Sequence, residues 1–111
     1  MILINVKFPV RADQADRWQE LANKYAAQVH AEEGNLFFEW SRSVAEPDTW
    51  VCIEGGFRDS EAGTAHVATT AFSDFVDQAS DLVAAQPEII YVDAPEVAGF
   101  GPMGEIQPRH H

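Results

Sequence analysis

Two strand-length runs, NLFFEWSRS (35–43) and TWVCIEGGF (49–57), are separated only by VAEPD. Pro47 and Asp48 supply turn chemistry, so the runs predict an antiparallel β-hairpin at the centre of the chain. Gly55 and Gly56 are poor strand formers and predict a bulge or a close backbone approach, either as sheet curvature or as the rim of a pocket. What flanks the hairpin decides the fold class.

On the N-terminal side, ILINVKF (2–8) is a β-branched run stopped by Pro9, with Ile2, Ile4, Val6 and Phe8 on one face and Leu3, Asn5 and Lys7 on the other. From Asp13, a plausible N-cap, Trp18, Leu21, Ala22, Tyr25, Ala26 and Val29 recur at helical spacing, and Gly34 is the expected stop. After the hairpin, Ser60 is expected to cap a short helix through His66. Thr69 or Thr70 then caps a second segment, in which Phe72, Phe75, Val76, Ala79, Leu82 and Val83 share a face. Pro87 ends it, and EIIYVDAP (88–95) reads as the last strand. The order is β-α-β-β-α-β, an α+β ferredoxin-like split βαβ with both helical layers on one face of an antiparallel sheet. The reading gives one domain over 1–95 and an irregular Gly- and Pro-rich tail over 96–111, with the terminal His110 and His111 set aside as appended residues. Because both faces of the first strand carry apolar residues, a bare sheet would expose a large patch. A homodimer packed sheet on sheet, a dimeric α+β barrel, is the expected remedy.

Charge narrows the partners. Eighteen acidic residues against seven basic ones leave a net charge of -11, which disfavours nucleic acid and anionic lipid. The lone Cys52 has no internal disulfide partner. No signal-peptide pattern opens the chain, and no apolar run approaches the roughly 18–20 residues of a membrane span, so a soluble cytoplasmic protein is expected. His30, Cys52 and His66 lack metal-ligand spacing, and no metal site is expected. No Gly-rich phosphate loop or Ser-centred elbow occurs.

The stretch AEEGNLFFEWSRSVAEPDTWVCIEGGFRDSEAGTAHVATTAFSDF resembles the signature region of antibiotic biosynthesis monooxygenase (ABM) domains. It carries a helix-ending Glu-Glu-Gly, a Phe-Glu strand, a Pro-Asp turn, a strand with Glu54, then Glu61-Ala62, His66 and Phe72 at matching distances. The resemblance covers about residues 2–95 and implies the ferredoxin-like fold. It also implies a quinol-monooxygenase-like activity without a cofactor. Other branches fit less well. Of the haem-degrading pattern Asn5 matches, but His66 and Val76 stand where a Trp and a His would be. Of the polyketide-oxygenase pattern, Ile53, Phe57 and Gly63 replace the expected Asn, Trp and Tyr.

Such an oxygenase removes a proton from a quinol or polycyclic phenol and lets the anion reduce dioxygen. The protein supplies a base, oxyanion donors and a dry aromatic pocket. The expected catalytic residues are His66 as base and Asn5 as orienting donor, provided Asn5 points toward the helices. Trp40, Trp50, Phe38, Tyr91 and Phe72 are the expected substrate walls. Each has a structural alternative: His66 as a packed histidine, Asn5 as a locally bonded amide, the aromatics as core or dimer interface, and His30 as a solvated residue. Two rival functions stay open: a non-oxidative isomerase or dehydratase in which His66 moves protons, and a non-catalytic small-molecule-binding or dimerisation module.

Overall fold

The computed structural model describes residues 1–109, and His110 and His111 lie outside the described residues. Among these, β1 (Ile2–Pro9), β2 (Asn35–Arg42), β3 (Thr49–Phe57) and β4 (Glu88–Asp93) form one antiparallel sheet in the order β2-β3-β1-β4. Helices α1 (Ala15–His30), α2 (Ser60–Val67) and α3 (Thr70–Ser80) cover one face, giving the expected ferredoxin-like α+β fold. Among the described residues, those beyond β4 form no helix or strand.

Alternation along the strands sets the two faces. On β1, Ile2, Ile4 and Val6 are buried under the helices, and Leu3, Asn5 and Lys7 take the opposite face. The helix side of β3 carries Trp50, Cys52 and Glu54, opposite Phe8, Val6 and Ile4 of β1. From α1, Trp18, Leu21, Ala22, Tyr25 and Val29 descend on this layer at the spacing of one helical face.

Three boundaries differ from expectation. A single 3-10 turn, Ala12–Gln14, takes up Asp13, so α1 starts at Ala15 without a side-chain cap. It ends at His30, before Gly34. Gly34 serves contact instead: a methyl group added there would collide with the methyl of Ala62 on α2, so the turn and the helix touch backbone to side chain. Asp59, not Ser60, caps α2 by accepting from Ala62 N at 2.9 Å, because the cap must lie outside the helical dihedrals. Thr69 caps α3 as expected, accepting from Phe72 N.

The double glycine does produce a bulge. Ile2 pairs with Phe57 and Leu3 with Gly55, so Gly56 is the extra residue of β3. A Cβ on Gly56 would sit 2.8 Å from the Phe37 carbonyl oxygen, closer than side chains tolerate. Past the bulge, Phe57 turns to the helix side and is fully buried.

Candidate active site

His66 lies at the end of α2, where burial is greatest; only 2% of the residue is exposed. Its ring stacks on Phe57 at 4.6 Å between centroids and meets the ring of Phe72 edge-on at 5.4 Å. Both nitrogens are engaged. Nδ1 is 2.9 Å from each carboxylate oxygen of Glu32, in the turn after α1. Nε2 is 2.9 Å from the hydroxyl oxygen of Tyr25 on α1 and 3.5 Å from Oε1 of Glu54 on β3. One imidazole thus ties α2 to α1, to the α1–β2 turn and to the sheet.

Burial by itself would lower the His66 pKa, but the 3.5 Å contact with Glu54 and the hydrogen bonds to Glu32, with the charges of both carboxylates, outweigh it and raise the value. Tyr25 and Cys52 are raised as well, which for these groups favours the neutral form. Burial first, and then the Glu54 charge, drives each far up, so both stay protonated. A thiolate at Cys52 is thereby disfavoured. Glu54 is 7% exposed, and its Oε1 has no hydrogen-bond partner among the described residues.

The expectation of a hollow beneath His66 is not met. Phe57, Phe72 and Tyr25 occupy the space around the ring, because the bulge swings Phe57 beneath it and α1 brings Tyr25 against it. Asn5 does not join His66. It pairs with Ile53 and Ile90 on the outer face of the sheet, where it lines a shallow cleft with Lys7, Glu88 and Ile90. Strand parity decides this, since Ile4 and Val6 already take the helix side.

The expected aromatic walls divide into groups. Phe38 is buried edge-on against Tyr25. Trp40 donates its indole N–H to the Ala22 carbonyl at 2.9 Å, and its ring, like that of Trp50, packs within the core. Phe72 flanks His66 directly. Tyr91 is 58% exposed on β4, yet the register puts it in one cross-strand row with Ile4, Glu54 and Phe38. His30 is exposed, with its ring Nε2 2.9 Å from the Phe38 carbonyl oxygen.

Two clefts flank the cluster. A polar one of about 250 Å³ is lined by Glu32, Gly34, Arg58, Ala62 and Thr69, so Glu32 connects His66 to its opening. An apolar one of about 180 Å³ is lined by Phe8, Phe75, Val76, Ala79, Val83 and Pro87. Phe75 also stacks on Tyr25 at 4.1 Å.

Tyr25, Glu32 and Glu54 are the members that periodicity alone does not reveal. Tyr25 reads as an ordinary core position and Glu32 as solvated. Glu54 carries a legible signal: a carboxylate at the parity of Trp50 and Cys52 falls on the buried face of its strand.

The sequence profile of antibiotic biosynthesis monooxygenases matches residues 1–78. The Bacillus subtilis (strain 168) protein named "Putative monooxygenase YcnE" is 25% identical over 96 residues, covering 86% of this chain and all of that one. Among solved structures, Rv0793 from Mycobacterium tuberculosis superimposes with a TM-score of 0.80 at 16% identity, covering 88% of this chain and 98% of that one. A "putative antibiotic biosynthesis monooxygenase" from Deinococcus radiodurans reaches 0.81 at 19% identity, with 92% and 100% covered. The chain belongs to the antibiotic biosynthesis monooxygenase family. Among the described residues no helix is long and apolar enough to cross a membrane.

Proposed function

We propose that this protein is a monooxygenase that oxidises a quinol or polycyclic phenol with dioxygen and needs no resident cofactor. In such a reaction the quinol loses two hydrogens, one oxygen atom enters the ring and the other leaves as water. The family, and the monooxygenase names of its relatives, support the reaction class. One observation carries the rest: an imidazole, two carboxylates and a phenol converge inside an aromatic core, a dry setting for removing a phenolic proton. The cross-strand row that ends at exposed Tyr91 supports an approach from the β4 edge, with Phe72 and Tyr91 moving aside as the substrate enters.

A second copy of the chain is proposed to cover the outer face of the sheet. Ile90 is 66% exposed there, beside half-buried Leu3 and Ile53.

A second reading draws on the close packing of His66: a small-molecule-binding or dimerisation module in which the histidine is structural. Both clefts beside the cluster fall below the roughly 300–1,000 Å³ usual for small-molecule sites. Oxygen uptake with menadiol separates the two readings. The metal-stripped protein is expected to consume oxygen well above the autoxidation measured with heat-denatured protein, and to form the hydroxyquinone. Uptake equal to that control supports the structural reading.

A further inference from the structure

We infer that the proton acceptor of this site is Oε1 of Glu54, and that His66 is a fixed cation beside it rather than the base. The assignment rests on the oxygenase reading for its substrate, but the geometry behind it does not. A general base needs a lone pair open toward the proton it takes. Neither nitrogen of His66 has one: Nδ1 faces both oxygens of Glu32 at 2.9 Å, and Nε2 faces Tyr25 at 2.9 Å.

Glu54 is the opposite case. Its Oε1 is enclosed in the core and makes no hydrogen bond among the described residues, and His66 Nε2 lies 3.5 Å away. A buried carboxylate oxygen without a donor is costly and calls for an explanation. Here the His66 ring lies between two carboxylates, and the unmet acceptor of Glu54 is left for a ligand hydroxyl. The charges acting on His66 favour its protonated form despite burial. The groups facing it are Tyr25 from α1, Glu32 from the following turn and Glu54 from β3; α3 contributes only the ring of Phe72.

The sheet register supplies the approach. Glu54 pairs with Ile4, and Ile4 with Tyr91 on the exposed edge strand. At about 4.8 Å per strand, Glu54 lies roughly 10 Å in from that edge, the length of a fused bicyclic phenol. Ile4 is buried under the helices, so a flat ring brings its hydroxyl to Oε1 only by displacing the side chains packed over that row. The phenolic O–H bond then breaks heterolytically: the proton goes to Oε1, the electron pair stays on the phenolate, and the His66 charge stabilises that anion. Tyr25 remains a neutral phenol throughout.

Nitrogen-15 NMR of the ligand-free protein at neutral pH is expected to show both His66 ring nitrogens protonated, and Glu54→Gln should lower the pH at which that ring titrates. Oxygen uptake with menadiol should fall about 100-fold or more in Glu54→Gln, whose fold is checked by circular dichroism. A neutral His66 ring in the native protein, or native-level uptake in Glu54→Gln, overturns the assignment. If the native protein takes up no oxygen, the oxygenase reading falls, and the His66 protonation state alone decides whether Glu54 holds the free acceptor.

Discussion

Replacing His66 by Phe keeps a ring of similar size between Phe57 and Phe72 but removes both nitrogens. Glu32, Glu54 and the Tyr25 hydroxyl then lose their common partner. Breaking a buried ion pair by deleting one member costs about 3–5 kcal/mol, a large share of a typical stability of about 5–15 kcal/mol. At roughly 4 °C per kcal/mol for a chain of this size, the melting temperature should fall by about 12–20 °C. The loss should also depend on pH in a defined direction. His66 has its pKa raised in the folded state, so the stability it contributes is complete below the ordinary histidine value of about 6.5 and is lost as pH rises through the folded value. Urea unfolding of both proteins from about pH 5.5 to 9.5, compared as a difference so that other groups cancel, reads this directly. The difference should be largest at the acid end. It should shrink toward the hydrogen-bond contribution, about 1 kcal/mol per bond, at the alkaline end. A difference below about 1 kcal/mol at acid pH, or one that stays flat or grows with pH, refutes the reasoning.

Gly34→Ala should destabilise by about 1–3 kcal/mol in urea melts through overpacking against Ala62, and Ala62→Gly in the same chain should recover most of that loss. Thr69→Ala removes the α3 cap and should cost about 1 kcal/mol by the same measurement. Cys52 is buried with its thiol pKa pushed up, so Ellman's reagent at mildly alkaline pH should label it only after denaturant is added. Ile90→Lys sets a charge on the outer sheet face and should abolish the proposed dimer in sedimentation without altering far-ultraviolet circular dichroism; a native chain that sediments as a monomer refutes that dimer.

Period-two and helical patterns are local properties, so they delivered the element order, the hairpin, the bulge at the double glycine and the Thr69 cap. The cap expected at Ser60 falls one residue earlier because the neighbouring Asp59 takes the free N–H, whereas Asp13 caps nothing because a 3-10 turn absorbs it and α1 starts without a side-chain cap. His66 was legible as the one imidazole on a small-residue helix. Its partners were not: Tyr25, Glu32 and Glu54 stand 41, 34 and 12 residues away, and no spacing along the chain announces that they meet. Asn5 shows the same gap from the other side. Its side-chain class suggested a donor beside His66, and strand parity sent it to the opposite face.

The chain by itself therefore determined the ferredoxin-like order of elements, because secondary structure answers to neighbours within a few residues. Only the tertiary structure decided what surrounds the imidazole. A cluster assembled from a helix, a turn and a strand exists only once those elements pack, and its charge balance depends on distances of a few ångström that sequence separation does not encode.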